Sequence, residues 1–190
     1  MELEEIIGSI YPVPAEEVAK VAACAELIKI GRGEAIVEQG RRNDHYYFVR
    51  EGLLRSYCDN DGREDTLWFA VTGDAIGSMH SIYKGLPAIS SIEALAPTEL
   101  YRIPKADMDA LFHESKHLAN WGYNLAIEEL YSLERRYLYI GKGDAYTRFR
   151  QFIEMRDAEV IQQIPLKYIA AYLNITPQTL SKLRMKYAKE

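Results

Sequence analysis

The chain has 190 residues, 48% of them hydrophobic and 27% charged, with a formal net charge of −5 at pH 7. This composition is that of one globular domain, or of a medium domain with a small one, and it argues against a protein coated in nucleic acid. The two cysteines of the sequence, Cys24 and Cys58, are too few for a disulfide framework or a cysteine-ligated iron–sulfur cluster.

The charge is distributed unevenly along the chain. Residues 141–190 contain nine Lys or Arg and five Asp or Glu, a net of +4, whereas residues 1–140 carry a net of −9. This asymmetry favours contact between the C-terminal part and a polyanion, with chance clustering as the alternative. The acidic N-terminus has no long apolar run, so we expect a cytoplasmic protein without a signal peptide or a membrane span.

Within the first hundred residues, the sequence pattern changes from one typical of helices to one typical of strands. Residues 3–24 have helical apolar spacing interrupted by "YPVP", which predicts one or two short helices. From residue 27 to 103, glycine turns separate short runs such as "HYYFVR", "DTLWFA" and "ELYRIP". Such runs at a spacing of roughly 8–12 residues indicate a β-sandwich or barrel. Asp61-Gly62 is the expected corner of a hairpin.

Residues 106–140 lack proline and contain one glycine, which predicts a single helix of roughly 30 residues, about 45 Å long. An apolar stripe runs along it, made of Leu111, Leu118, Leu125, Leu130, Leu133 and Tyr137. A helix of this length is hard to bury within a small domain, so we expect it to pack on a second copy of the chain. The alternative is that it covers its own β-domain. A further helix is expected from residue 145 to 156, after "GKGD".

The most specific pattern lies in residues 164–190, "IPLKYIAAYLNITPQTLSKLRMKYAKE". Pro165 suits the first position of a helix, and a buried stripe is expected behind it, made of Leu166, Ile169, Ala170 and Leu173. Asn174 suits the left-handed position that ends a helix, and Thr176 before a proline suits the start of the next one. Two short helices joined by a tight turn form a helix-turn-helix.

The exposed face of the second helix is polar and basic. The predicted DNA-binding residues on this face are Thr176, Gln178, Thr179, Ser181, Lys182 and Lys186. Gln pairs with adenine, Lys reaches guanine, and Ser or Thr meets base edges or phosphates, so the helix suits the major groove. A solvated polar face is the alternative interpretation.

No motif of an enzyme stands out. The sequence has no nucleophile–base pair, metal-ligand set or pair of carboxylates at an informative spacing. We therefore expect no catalytic residue, no metal site and no cofactor.

A glycine-punctuated β-region, a long helix and a helix-turn-helix resemble the Crp/Fnr transcription regulators. The resemblance rests on "GDAIGS", on "EQGRRNDHYYFVREGLLRSY" and on "IPLKYIAAYLNITPQTLSKLRMK", the last of which is similar to a short-form branch of the family. It implies an α+β protein with a jelly roll (a double-stranded β-helix) of the cyclic-nucleotide-binding type in residues 1–105. A dimerisation helix in residues 106–140 and a helix-turn-helix domain in residues 141–190 would follow.

The same resemblance implies the partners. These are a second copy of the chain, double-stranded DNA with a near-palindromic operator, and RNA polymerase. The family's β-hairpin wing, which contacts the DNA backbone, has no counterpart before the sequence stops at Glu190. We therefore expect weaker affinity for DNA but no change in which bases the helix recognises. The alternative function is an effector- or protein-binding module whose helix-turn-helix is vestigial.

The stretch "GDAIGSMHSIYKGLPAISS", residues 73–91, resembles the phosphate-binding loop of cyclic-nucleotide-binding relatives. Their glutamate for the ribose falls on Ser78 and their arginine for the phosphate falls on Ala88, so tight binding of cyclic AMP is not expected. Two alternatives follow: side chains fill the site, or a small molecule that is not a nucleotide occupies it. The degenerate pocket would comprise Gly77, Ser78, Met79, Ala88, Ile89 and Ser90.

Overall fold

The computed structural model of the chain describes residues 1–140 and 143–189, without the side chains of residues 139 and 140. Two short helices, α1 (Leu3–Ile10) and α2 (Ala15–Ala23), open the fold as the apolar spacing predicts. A capping box of Glu2 and Glu5 satisfies the backbone at the start of α1. The buried face of α1, which includes Ile6 and Ile7, packs into a core shared with the long helix.

Eight strands form the β-domain, and all their pairings are antiparallel. The strands are β1 (Glu26–Ile30), β2 (Ala35–Val37), β3 (His45–Glu51), β4 (Leu53–Asn60), β5 (Arg63–Val71), β6 (Ala75–Ile76), β7 (Ser91–Ala94) and β8 (Thr98–Pro104). They make two four-stranded sheets, ordered β1-β8-β3-β6 and β2-β7-β4-β5. The predicted jelly roll is confirmed.

Local chemistry explains the corners and the interior of this roll. Asp61 and Gly62 both have positive φ, 53° and 86°, as a two-residue hairpin turn between β4 and β5 requires. Val49, Leu54 and Leu100 are fully buried between the two sheets. Between β6 and β7 the chain forms a six-residue helix, α3 (Met79–Lys84), which the sequence did not predict.

The long helix is present but begins ten residues later than predicted. Helix α4 (Lys105–Glu114) ends at Ser115, and α5 (Lys116–Ile140) follows. Ser115 has an extended backbone, φ −122° and ψ 118°, and its hydroxyl accepts a hydrogen bond from the N–H of Leu118. The break arises because this serine caps the start of α5 instead of continuing α4. The residues that we expected to end α5, Gly141 and Lys142, lie outside the described part.

The expected apolar stripe divides between two environments. Leu111, Leu118 and Leu125 are buried against the chain's own N-terminal helices and β-roll, so they are not part of a seam between copies. The Trp121 indole N–H anchors this packing with a 2.9 Å hydrogen bond to the carbonyl of Ile7. Beyond Leu125 the stripe emerges into solvent, and Leu130, Leu133 and Tyr137 are exposed.

Four helices complete the chain: α6 (Ala145–Glu154), α7 (Ala158–Gln163), α8 (Leu166–Tyr172) and α9 (Pro177–Tyr187). Asp144 caps α6 by accepting a 2.8 Å hydrogen bond from the N–H of Thr147. The helices share a core with one edge of the roll, where Phe69 packs on Phe152 and Tyr172. Across the described residues, no helix has both the length and the apolarity needed to cross a bilayer.

Candidate nucleic-acid interface and effector pocket

Helices α8 and α9 form the predicted helix-turn-helix. Asn174 has φ 51° in the turn, and the N–H of Ile175 closes it on the carbonyl of Ala170 at 3.0 Å. The Thr176 hydroxyl caps α9 by accepting from the N–H of Thr179 at 3.1 Å, with Pro177 at the first helical position. Leu180, fully buried, holds α9 on its neighbours.

Two details of α8 differ from the prediction. Leu166 is exposed, so the buried face consists of Ile169, Ala170 and Leu173. Pro165 is the N-cap and not the first helical residue, one position earlier than expected. Leu166 is the first residue of this seven-residue helix, so it precedes the turn that carries the buried Ile169 and Ala170.

The residues predicted to bind DNA lie along α9. Thr176, Gln178, Ser181 and Lys182 are exposed at its start and middle, while Thr179 is half-buried and its hydroxyl lies 3.0 Å from that of Thr176. Lys186 stands apart from this group. Its ammonium lies 3.7 Å from the centroid of the Tyr146 ring on α6, so this lysine also helps to pack α9 on α6.

The β-roll holds the helix-turn-helix through Arg55, a contact that the sequence did not reveal. The Arg55 guanidinium on β4 lies 3.6 Å from the centroid of the Tyr168 ring on α8. It donates to Glu93 at 2.6 Å and to Glu64 at 2.5 Å. At the tip of the β4–β5 hairpin, Arg63 donates to the Asn174 side chain at 3.4 Å. A lone arginine in a predicted strand carries no signal for such a contact, because its partners are distant in sequence.

The predicted pocket residues do not come together as an anion site. Ala88 fills the core between the sheets, and its N–H and C=O are both hydrogen-bonded to the loop at residues 40 and 41 at 2.8 Å. Ile89 is 62% exposed, and the Ser90 hydroxyl is paired with that of Ser56 at 3.0 Å. The Ser78 hydroxyl accepts from the N–H of Ser81 and caps α3.

The backbone at Gly77 approaches its neighbours so closely that a side chain at this position would force them to shift. A Cβ on Gly77 would lie 2.7 Å from the Ile82 side chain and 3.3 Å from the His45 carbonyl. Gly77 and Met79 also line a separate cavity of about 620 Å³ between β5, β6, α5 and the C-terminal helices. The other four predicted pocket residues do not line it. Within the described residues, no group of three or more His, Cys, Asp or Glu side chains is placed to hold a metal ion.

Sequence comparison assigns the β-region to a family. Residues 27–115 match the family of the cyclic nucleotide-binding domain. A search of curated proteins gave no significant match.

Solved structures share the architecture of the chain. FixK2 from Bradyrhizobium japonicum superposes with a TM-score of 0.78 at 21% identity, over 87% of this chain and 85% of that one. The chain has the fold of the Crp/Fnr regulators. The catabolite activator protein of Thermus thermophilus matches with a TM-score of 0.59 at 21% identity, over 95% and 86% of the two chains.

A third Crp/Fnr-type structure agrees. A Eubacterium rectale protein assigned to the Crp/Fnr family of transcriptional regulators has a TM-score of 0.70 at 18% identity, over 95% of this chain and 88% of that one. The resemblance to Crp/Fnr regulators is therefore confirmed for the fold from the roll to the C-terminal helices.

Proposed function

We propose that the chain is a cytoplasmic, sequence-specific DNA-binding transcription regulator of the Crp/Fnr type. The observation that carries this proposal is α9, a capped helix that buries Leu180 and presents Gln178, Ser181 and Lys182 to solvent. An amide, a hydroxyl and an ammonium on one exposed face can together read base edges and contact phosphates.

The regulator works as a homodimer in this proposal. Helix α5 presents an exposed stripe at heptad positions that includes Tyr123, Ile127, Leu130 and Tyr137. Leu130 is 62% exposed and Tyr137 is 72% exposed, and an apolar stripe of this kind is stabilised by pairing with its symmetry mate. Two recognition helices would then reach successive major grooves, roughly 34 Å apart, on a near-palindromic operator.

Removing either reading side chain of α9 should weaken binding to the preferred site. Gln178→Ala and Lys182→Ala are each expected to cost about 1–3 kcal/mol of binding free energy, and Gln178→Ala also to relax base preference at one position. The site is first selected from random duplexes, and affinities are then measured by gel shift at fixed salt. Lys20→Ala on α2 is the control, because it removes the same charge from a helix that packs in a different core cluster from α9.

An absence of any selected sequence at low and moderate salt would refute the proposed function. It would favour the alternative, a protein- or effector-binding module with a vestigial helix-turn-helix. Equal losses for Lys20→Ala and Lys182→Ala would refute the role of α9 and leave only general electrostatics.

Cyclic AMP is not the controlling ligand in this proposal. The site of its phosphate would have to be built around Ala88, whose backbone N–H is already paired with Arg41 at 2.8 Å and whose side chain carries no charge. Burying a phosphate without a cation costs several kcal/mol. We expect calorimetry with cyclic AMP to show no saturable binding, and a Kd tighter than about 100 µM would contradict this expectation.

A further inference from the structure

A cavity of about 620 Å³ lies where the β-roll meets the helical C-terminal part, a volume typical of small-molecule sites. One wall is formed by β5, with Phe69, by β6, and by Asp74 in the turn between the two strands. Helix α5 forms a second wall with Glu129 and Arg136, and the opposite wall carries Arg156 and Tyr172. This cavity is distinct from the face of α9. Gly77 and Met79 of the loop at residues 73–91 line it, but Ser78 and Ala88, the positions of the family's ligand-binding glutamate and arginine, do not.

Two guanidinium groups in this cavity have no hydrogen-bonding partner among the described residues. Arg156 lies 5.5–5.6 Å from the rings of Phe69 and Phe152, and Arg136 lies 5.7 Å from the ring of Tyr172. In the described part of the chain, neither forms a hydrogen bond or an ion pair within 4 Å. Burial lowers the pKa of Arg136, and neighbouring Arg156 lowers it further. Two half-buried arginines whose donors are unused provide a site for an anionic group.

Two carboxyl groups in the same cavity have acceptor capacity to spare. Burial raises the pKa values of both Asp74 and Glu129, and Asp74 raises that of Glu129 further. Within the described residues, the carboxylate of Asp74 accepts one hydrogen bond, from the N–H of Val71 at 2.8 Å, and that of Glu129 accepts none. The carboxamide oxygen of Gln151, which also lines the cavity, is buried without a donor. These acceptors require hydroxyl or amino groups from a ligand.

The balance of charge restricts the class of ligand. Among the described residues, the lining contains three carboxyl groups and three guanidinium groups, namely Asp74, Glu128, Glu129, Arg135, Arg136 and Arg156. A polyanion would meet the carboxylates, and a neutral apolar molecule would leave the arginines unpaired. A ligand with one anionic group and several hydrogen-bond donors can pair with the guanidinium groups and also with the carboxyl groups.

We propose that this junction cavity binds a small organic anion that carries hydroxyl or amino groups. Its carboxylate or phosphate lies on Arg136 and Arg156, and its donors meet Asp74, Glu129 and Gln151. The lining comes from the roll, from α5 and from the C-terminal helices, so the bound ligand stabilises one placement of the helix-turn-helix on the roll.

The test is calorimetric titration of the full chain with glycerol 3-phosphate and with L-serine, which represent the phosphate and carboxylate forms of this chemistry. Propionate supplies the charge without donors, and glycerol supplies donors without charge. At least one complete probe is expected to bind at least about tenfold more tightly than propionate and glycerol. The assay contains no DNA, so its outcome is independent of the proposed function.

Substitutions then locate the site. Arg136→Gln and Arg156→Gln are each expected to weaken the best probe by about tenfold or more, since each removes a charge-assisted pair. Arg150→Gln is the matched control, because Arg150 on α6 pairs with Glu154 at 2.9 Å and does not line the cavity. Asp74→Asn should weaken binding of the complete probe but not that of propionate, which has no donor for the carboxylate and carries a charge that it repels.

Three outcomes would overturn the proposal. The first is no heat of binding for either complete probe up to about 10 mM, where even a millimolar Kd gives occupancy. The second is equal affinity for the complete probe and propionate, which would show that the cavity binds small anions without using the donors of the ligand. The third is an equal loss in the Arg150→Gln control, with circular dichroism establishing that all variants are folded.

Discussion

Replacing Arg55 by alanine is expected to lower the free energy of unfolding by about 3–5 kcal/mol. The substitution removes the cation of a buried ionic cluster and leaves the carboxylates that it paired without their partner. The side chain of Arg55 is only 1% exposed, and it holds the carboxylates of Glu64 and Glu93. Its guanidinium also lies between the rings of Tyr57, at 4.1 Å, and Tyr168, at 3.6 Å. Urea denaturation followed by circular dichroism measures the change.

The matched control is Arg63→Ala at the other end of the same hairpin. Its side chain is 71% exposed and pairs with Asp65 at 3.1 Å, so we expect a loss below about 1 kcal/mol. A double-mutant cycle of Arg55→Met and Tyr168→Leu isolates the contact between roll and helix-turn-helix, with an expected coupling of about 1–2 kcal/mol. Equal losses for Arg55→Ala and Arg63→Ala would show that burial does not strengthen this cluster.

The double variant Leu130→Glu/Tyr137→Glu is expected to convert the proposed dimer to a monomer at micromolar concentration. Twofold symmetry would place four carboxylates in the apolar seam of α5, at a cost of several kcal/mol in association free energy. Binding to a palindromic site should fall with it, since each half-site would then be bound separately. Analytical ultracentrifugation measures the oligomeric state, and gel shift measures the affinity.

Asn124→Glu on the same helix is the control for this variant. At 100° per residue, position 124 is rotated by about 100° or more from Tyr123, Leu130 and Tyr137 and flanks the stripe only near Ile127, so a charge there should weaken the dimer far less than the double variant. A wild-type chain that sediments as a monomer would refute the seam. A double variant that remains dimeric would show that copies associate through another surface.

Local sequence signals account for the parts of the fold that were predicted well. Asp61-Gly62 specifies a hairpin corner through the left-handed conformations that both residues adopt. Asn174, Thr176 and Pro177 specify the turn and the cap of α9 through contacts within a few residues. Each of these signals depends on neighbours in sequence, so they can be interpreted without knowledge of the rest of the chain.

Other features of the fold depend on which helices and strands pack against each other in the tertiary structure. A seven-residue leucine spacing suits both a seam between copies and packing on the chain's own roll. The positions of α1 and β3 show that Leu111, Leu118 and Leu125 pack within the chain. The start of α5 depended on Ser115, whose residue type is compatible with both a helix interior and a cap.

The sequence by itself determined the succession of β-roll, long helix and helix-turn-helix, the turn chemistry and the loss of the charged pair that a cyclic nucleotide needs. The tertiary structure alone decided that Arg55 joins the roll to α8, and that Arg136 and Arg156 share a cavity with Asp74. The physical reason is how far apart in the sequence the contacting residues lie. Caps and turns are stabilised by bonds between near neighbours, whereas a buried ionic cluster or a cavity is created by residues brought together from distant parts of the chain.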